Sequence, residues 1–224
     1  MNIIKELKNT RLFYNMDLKE IEKLLEMAQY YIKEYEKGSD VYPAESPISH
    51  AGIILSGEID VLHIHINGDE ELLGRNGKGD IIGPAFCITG MINNLSYFRV
   101  RKKTKLLLLN INSVISAPVS ESYYSKFAGN IMNILAHNNI ILNKKIQLLT
   151  QKSLRKKLLT YFIQLSDKVG SRNFNISFNR EQLAQYLCSE RSSVCRELGR
   201  MQDEGLIRVD GNSITLMDKS ILMY

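Results

Sequence analysis

The chain has 224 residues, of which 44% are hydrophobic and 24% are charged. This length is sufficient for two domains, and the composition is that of a folded globular protein, which argues against a disordered or fibrous chain. No apolar run approaches the roughly 18 to 20 residues that a membrane span needs. Three cysteines without a CxxC pair exclude a disulfide framework and most structural zinc sites. The first residues lack the apolar core of a signal peptide, so we expect a cytosolic protein.

The formal net charge of +5 is concentrated in the last third of the sequence. Residues 144–224 carry 14 Lys and Arg against 8 Asp and Glu, whereas residues 1–143 carry 15 against 16. Such asymmetry is typical of a chain whose partner is negatively charged, most often nucleic acid. A solvated basic surface is the alternative that charge alone leaves open.

The N-terminal part begins with helical spacing and continues with strand-like runs. Residues 5–32 are predicted to form one or two short amphipathic helices, with Asp17 as a cap. From about Tyr35, glycines separate short apolar runs, which lie at Gly52–Leu55, Ile59–Ile66 and Thr104–Ile111. Asn67-Gly68 is a strong hairpin signal. Short strands separated by turn residues favour a sandwich or a barrel.

A long helical pattern follows Pro118 and runs from about Ser120 to Leu149. Its apolar residues form two adjacent rows. The resulting apolar stripe is wider than contact with a single neighbouring element requires. The first row is Phe127, Ile131, Ile134, Ile141 and Leu148, and the second is Met132, Leu135, Leu142, Ile146 and Leu149. We expect one row to pack on the strand domain and the other on a second copy, with Asn138 and Asn139 setting the register of that pair. A single helix lying on its own domain is the alternative.

Three helices are predicted in the basic third of the chain, over about 154–170, 180–187 and 190–204. A joint at residues 150–153 precedes the first. The second starts with a capping-box pair, Asn179 and Gln182. A tight turn at Cys188-Ser189 leads to the third, for which Ser189 is expected to be the cap.

The last of these helices has two different faces. One face is apolar, with Val194, Leu198 and Met201, and the other carries Arg191, Ser192, Ser193, Arg196 and Arg200. Asp210-Gly211 then separates two strand-like runs, which predicts a hairpin. Helix, tight turn, helix and hairpin are the layout of a winged helix-turn-helix, whose second helix enters the DNA major groove. An amphipathic helical hairpin with a solvated charged face is the alternative.

Several motifs resemble the family of the cyclic-AMP receptor protein and the fumarate-nitrate reductase regulator (CRP/FNR). In the basic third they are Asn179-Arg-Glu-Gln-Leu-Ala-Gln-Tyr-Leu, Arg191-Ser-Ser-Val-Cys-Arg196 and Glu197-Leu-Gly-Arg-Met-Gln-Asp-Glu-Gly-Leu-Ile207, and in the strand region Leu55-Ser-Gly-Glu58, Gly79-Asp-Ile-Ile-Gly83 and Thr104. The resemblance implies an α+β chain. Its parts would be a sensor domain that is a jelly-roll-like double-stranded β-helix (a β-roll), a long dimerisation helix and a C-terminal winged helix-turn-helix, at residues 1–117, 118–149 and 150–224.

The resemblance also implies roles for individual residues. Arg191, Ser192 and Arg196 occupy the base-reading positions, and the expected phosphate contacts are Arg180, Ser189, Ser193 and Arg200. Arginine suits base reading because its planar fork pairs with both acceptors of guanine. Many family members carry glutamate where this chain has Ser192, so we expect a half-site that differs from the common one.

The effector region departs from the family pattern. Cyclic-nucleotide binders of the family hold the ribose with a Gly-Glu pair and the cyclic phosphate with an Arg-Ser pair. Here the first position is Gly83-Pro84, and no arginine occurs in the second region before Arg99. Because the charge-assisted hydrogen bonds are lost, we expect no tight binding of cyclic AMP or cyclic GMP, unless an alignment shift brings in Arg99 or Arg101. The candidate effector pocket is Gly83, Pro84, Ala85, Ser96, Tyr97 and Arg99.

Other kinds of sensor have weaker support. An iron–sulfur cluster is disfavoured because no cysteine precedes Cys87. Haem is an alternative with the candidate ligands His50, His63, His65 and His137, although a histidine pair on one strand face is more often solvated surface. Redox sensing by Cys188 and Cys195 is disfavoured because small apolar residues usually pack at such positions. We therefore predict no cofactor.

The sequence thus predicts a cytoplasmic, sequence-specific DNA-binding transcriptional regulator that binds a palindromic operator as a homodimer. Its expected partners are double-stranded DNA and a second copy, with RNA polymerase and an unidentified small-molecule effector as further candidates, and no membrane. The alternative is a β-roll module that senses a small molecule, haem or redox state and signals without operator binding. No Ser/His/Asp order, HExxH motif, P-loop or GxGxxG is present, so we expect no enzyme.

Overall fold

A computed structural model describes residues 3–42, 46–65, 68, 70–92, 96–116 and 122–217. The chain divides into two compact units, Met1–Ile140 and Ile141–Tyr224. The predicted turn at Asn67-Gly68 lies partly outside the described residues. Among the helices that are described, none is long and apolar enough to cross a lipid bilayer.

The first unit combines short helices with an antiparallel sheet. Its helices are α1 (Ile3–Leu7), a 3₁₀ helix (Arg11–Phe13), α2 (Leu18–Met27), α3 (Pro84–Thr89) and α4 (Ile111–Ile115), and its strands are β1 (Tyr30–Tyr35), β2 (Ala51–Ile64), β3 (Glu70–Asn76), β4 (Ile81–Ile82) and β5 (Tyr97–Leu109). A long helix, α5 (Ser122–Leu149), continues into the second unit. The second unit contains α6 (Leu154–Val169), β6 (Asn173–Asn175), α7 (Arg180–Tyr186), α8 (Arg191–Asp203), β7 (Ile207–Asp210) and β8 (Ser213–Leu216).

The predicted N-terminal helices end earlier than residue 32. The Asp17 cap is confirmed, because its carboxylate accepts from the Glu20 N–H at 2.9 Å and the Glu20 carboxylate accepts from the Asp17 N–H at 2.8 Å. However, α2 stops at Met27. The next residues form β1, which pairs antiparallel with β5. The Tyr-Tyr-Ile sequence that opens β1 suits a strand, and sheet pairing overrides the helical periodicity there.

The sheet has the strand order β1-β5-β2-β3, and β4 also pairs with β2. Along β5, Leu106 and Leu108 belong to one buried apolar cluster, whereas Leu107 and Leu109 belong to another. The alternation of side chains along a strand therefore buries both faces of the sheet at this point. The predicted strand Thr104–Ile111 extends too far, because β5 ends at Leu109. The next residue, Asn110, caps α4 by accepting from the Ser113 N–H at 3.3 Å.

Gly57 explains the Leu55-Ser-Gly-Glu58 motif. Its φ is +96°, a backbone conformation that L side chains rarely adopt. A Cβ atom at this position would lie 2.6 Å from the carbonyl oxygen of Lys103 and 2.7 Å from the Cα atom of Thr104. The close approach of β2 and β5 thus requires glycine here.

The two apolar rows of α5 have different surroundings. In the first row, Phe127, Ile131 and Ile134 are buried in a cluster with the β5 residues Leu107 and Leu109, as predicted, whereas Ile141 is 48% exposed. The second row is largely exposed, with Met132, Leu142 and Ile146 at 64%, 60% and 58%. An antiparallel sheet, a long helix and a helix-turn-helix confirm the predicted α+β class.

Candidate nucleic-acid interface

Helix α7 starts with the capping box that the sequence predicts. The Asn179 side chain accepts from the Gln182 N–H at 2.8 Å, and the Gln182 side chain accepts from the Asn179 N–H at 3.2 Å. The turn after α7 contains Cys188 with a φ of +48°. This left-handed residue reverses the chain so that α8 can pack against α7.

The apolar face of α8 is buried and its basic face is exposed. Val194, Leu198 and Met201 are at most 4% exposed. The opposite face presents exposed Arg191, Ser192, Cys195, Arg196 and Arg200, with Ser193 partly exposed beside them. The structure therefore brings the three predicted base-reading residues together on one outward surface.

The N-terminus of α8 is not capped as predicted. The N-cap residue is Glu190, which makes no side-chain capping bond. The Ser189 hydroxyl donates to the Leu187 carbonyl oxygen at 3.1 Å instead, so its assignment as a cap is wrong. The first N–H groups of a helix have no partners within it, and a helix N-terminus without a side-chain cap favours a bound anion.

The wing is a hairpin of β7 and β8, but its turn is displaced by one residue from the prediction. Asp210 pairs with Ser213 within the sheet, so the turn consists of Gly211 and Asn212. The wing is attached to α8 because the Gln202 side chain accepts from the Val209 N–H at 2.9 Å.

Arg180, an expected phosphate contact, lies at the start of α7 and reaches the wing. Its Nη2 donates to the Gly211 carbonyl oxygen at 2.7 Å. Its Nη1 is buried and has no hydrogen-bond partner among the described residues. Arg180 therefore joins α7 to the tip of the wing, and an unused donor lies beside that contact.

Arg196 and Arg200 make only weak contacts within the chain. Arg196 folds along its own helix, with donor–acceptor distances of 3.4 Å to the Ser192 carbonyl oxygen and 3.4 Å to the Ser193 hydroxyl. Arg200 lies 3.6 Å from the Glu197 carboxylate, and its side chain is 69% exposed. Long contacts of this kind cost little to break, so both guanidinium groups can turn towards a ligand.

Sequence reasoning missed Arg155, which lies on α6 and holds α8 in place through hydrogen bonds to two carboxylates. Arg155 donates from Nε to Glu197 at 2.6 Å and through two further bonds to Glu204 at 2.7 and 2.8 Å. These hydrogen bonds lower the pKa of Glu204. The partners are more than 40 positions apart, so no local spacing signals the contact.

In the first unit, Arg99 and Arg101 lie near the predicted effector pocket. Both are on the outer face of β5 and are paired with carboxylates. Phe98 and Val100 are buried in an apolar cluster, and Arg99 and Arg101 alternate with them. Arg99 binds Asp40 at 3.1 Å and also Glu70, and hydrogen bonding to these carboxylates raises its pKa. Arg101 lies 3.2 Å from Glu58.

The remaining residues of the predicted effector pocket lie at two places in the chain. Gly83, Pro84 and Ala85 are at the start of α3, and Ser96 and Tyr97 are at the start of β5. Gly83 has a φ of +72°, and a Cβ atom there would lie 3.1 Å from the hydroxyl oxygen of Tyr42. Pro84 is buried and Ala85 is exposed, while Ser96 and Tyr97 are partly exposed.

The histidines and cysteines do not form a metal-binding group among the described residues. The rings of His63 and His65 are adjacent on β2, with centroids 4.7 Å apart, whereas His50 precedes β2 and His137 lies on α5. Cys188 and Cys195 are both exposed, so the expectation that they belong to the core is wrong. Each lies on the exposed side of the α7–α8 helix pair, opposite the side that is buried in the core.

Known proteins resemble both units. Residues 156–223 match the model of the Crp-like helix-turn-helix domain. Electron transport regulator A of Shewanella oneidensis is 25% identical over 193 residues, which are 83% of this chain and 74% of that protein. The fumarate and nitrate reduction regulatory protein of Escherichia coli K12 is 23% identical over 202 residues, which are 85% and 76% of the two chains. The c-di-GMP responsive regulator CLP of Xanthomonas campestris has a similar fold, with a TM-score of 0.71, 18% identity and coverage of 91% and 100%.

The contact between Arg155 and Glu204 predicts how acid affects the second unit. A carboxylate whose pKa is lowered on folding stabilises the fold fully above its ordinary pKa, 4.5 for Glu204, and this stabilisation is lost as the pH falls through the lowered value. We expect Glu204→Gln to lower the urea midpoint at pH 7, and the difference from the wild type to vanish as the pH falls well below 4.5. Circular dichroism in urea over this pH range measures the midpoint. Asp203→Asn, at an exposed neighbouring acid, is the control, and a difference for Glu204→Gln that persists at the lowest pH would contradict the assignment.

Proposed function

We propose that this chain, which contains a Crp-like helix-turn-helix domain, is a DNA-binding transcriptional regulator of the CRP/FNR type that binds a two-fold symmetric operator as a homodimer. The observation that carries the proposal is the outward face of α8. Its basic residues lie together opposite a buried apolar stripe, next to an uncapped helix N-terminus. That arrangement suits a helix that enters the major groove with its N-terminal half.

We assign two kinds of contact to this surface. Arg191, Ser192 and Arg196 read base edges, since an exposed guanidinium can bind the two acceptors of guanine. Ser193, Arg200 and the N–H groups at the start of α8 bind phosphates and hold the helix in register. Arg180 supports the wing. After a small side-chain shift, its unused Nη1 donor can bind a phosphate of the same DNA strand.

Arg196→Ala tests the base-reading role. We expect a loss of about 1–3 kcal/mol on the preferred duplex and a relaxed preference at one base pair, because a bidentate contact to guanine is removed. The preferred duplex is first selected from a random pool, and fluorescence anisotropy then measures the affinity for it and for single-base variants at two salt concentrations.

Two variants serve as controls for that measurement. Lys168→Ala removes a positive charge from the end of α6, outside the helix pair, and is expected to leave the base preference unchanged. Arg200→Ala is expected to weaken all duplexes equally and to reduce the salt dependence, as for a phosphate contact. An equal loss on all sequences for Arg196→Ala would make Arg196 a phosphate contact. No affinity of the wild type for any duplex at low salt would leave the alternative of a sensor that does not bind DNA.

The exposed row of α5 supports pairing with a second copy. Residues at alternating intervals of four and three form one seam, which comprises Met132, Leu135, Asn139, Leu142, Ile146 and Leu149. Such a repeat is typical of paired helices. Several large apolar side chains exposed along one side of a helix indicate an interaction surface. We assign this seam to a second α5.

Leu142→Asp tests the seam. A carboxylate in an apolar interface would be buried without a partner, so we expect the variant to be a monomer at concentrations where the wild type has twice the mass of one chain. Sedimentation equilibrium measures the mass. Gln147→Asp, at an exposed polar position outside the seam, is the matched control and should remain a dimer. The pairing proposal fails if Leu142→Asp keeps the wild-type mass.

We further propose that cyclic AMP and cyclic GMP are not the effectors. The inner face of β5 carries Phe98 and Val100, which are at most 5% exposed in an apolar cluster. Arg99 and Arg101 lie on the other face and are engaged by carboxylates. A cyclic phosphate bound inside would therefore lack a guanidinium partner and would lose a charge-assisted bond.

Calorimetric titration with each cyclic nucleotide tests this assignment. We expect no binding in the micromolar range, for the wild type and for Arg99→Gln alike. Micromolar or tighter binding by the wild type would overturn the proposal. Loss of that binding in Arg99→Gln would identify Arg99 as the phosphate ligand and require β5 to rearrange.

A further inference from the structure

Two lysines from outside the helix-turn-helix donate hydrogen bonds to the C-terminal end of α7. Lys145, near the end of α5, donates from Nζ to the Tyr186 carbonyl oxygen. Lys157, on α6, donates from Nζ to the Leu187 carbonyl oxygen at 3.0 Å. The last carbonyl groups of a helix have no partners within it and form the negative end of its dipole, so cations stabilise this end. Helix α7 is thus held by charges that two other helices supply.

Lys145 is in an enclosed environment. The residue is only 7% exposed, and its Nζ lies 3.4 Å from the centroid of the Tyr186 ring. That ring packs against Phe178 and Tyr161, with centroid distances of 5.0 and 5.4 Å. An ammonium group over an aromatic face is stabilised more strongly when water is excluded. It is also costly to bury without its hydrogen bonds, so the contact restricts where Tyr186 can lie relative to α5.

We propose that Lys145 is the positioning residue through which the long helix α5 sets the orientation of α7, and with it that of α8. Helices α7 and α8 are joined by a short turn and pack against each other, so they reorient together. Lys157 caps the same helix end but starts from α6, and it therefore provides no direct connection to α5. The functional consequence rests on the proposed pairing and DNA binding: a change in how two α5 helices pair would reach the DNA-reading surface through Lys145.

The first experiment measures a distance in the absence of DNA. Spin labels are attached to Cys195 on α8 and to Gln147→Cys on α5, in a Cys188→Ser background, and we expect Cys87 to remain unlabelled because it is buried. Dilution with unlabelled chains restricts the signal to pairs within one chain. We expect a narrow distance distribution when Lys145 is present, a broad or shifted one in Lys145→Met, and recovery in Lys145→Arg.

The matched control is Lys157→Met, which removes the other cap from the same end of α7. We expect it to keep the narrow distribution, because the connection to α5 is intact. On the selected duplex, the dissociation constant should rise about tenfold for Lys145→Met, within the range usual for coupling between sites. It should rise less for Lys157→Met and remain unchanged for Lys144→Met, at an exposed neighbour.

Each result decides the inference. An unchanged distribution in Lys145→Met overturns it, whatever happens to DNA affinity. Equal broadening in both lysine variants also overturns it, because Lys145 would then be one of two equivalent caps. If the wild type binds no duplex, the proposed function is wrong, but the distance comparison still decides the role of Lys145. If Lys145→Met does not fold, Lys145→Gln, whose donor has a shorter reach, takes its place with the same expectations.

Discussion

The burial of Val194, Leu198 and Met201 determines the direction of every other side chain on α8. Their spacing of four and three residues puts them on one face, and each is almost fully buried. Turning the helix to bury another face would expose all three, at a cost of about 1.5–3 kcal/mol for each large side chain. The outward direction of Arg191 and Arg196 follows from this packing, so the proposed DNA-reading surface is a consequence of the core.

The two units use their positive charges differently. In the first unit, Arg75, Arg99 and Arg101 all contact carboxylates, and the Arg75–Asp60 pair has an N–O distance of 2.6 Å. This part of the chain is close to neutral, and these three arginines are paired within it. In the second unit, Arg196 has only long contacts within its own helix. An excess of cations without strong internal partners is what binding to a polyanion requires.

Local features were predictable from the sequence, and contacts distant in the chain were not. The Asp17 cap and the Asn179–Gln182 capping box depend on residues three positions apart, and both were predicted. The strand that opens at Tyr30 was not, because its pairing with β5 involves residues 69 to 79 positions away. Contacts that hold the helix-turn-helix from outside, among them those of Arg155 and Lys145, likewise depend on tertiary folding. The exposed basic face of α8 was predictable because helical periodicity alone separates it from the apolar stripe.

In the proposed dimer, the second apolar row of α5 couples folding to pairing. Met132, Leu142 and Ile146 remain largely exposed in one chain, so a second copy that covers them stabilises the folded state according to its concentration. Apolar contacts alone would allow several registers, since one leucine packs against another almost equally well at each turn. Asn139 interrupts the row, and a polar residue in such a seam is satisfied in few registers at some cost in stability. A two-fold operator needs two recognition helices at one separation, and a single register of the paired helices is what provides it.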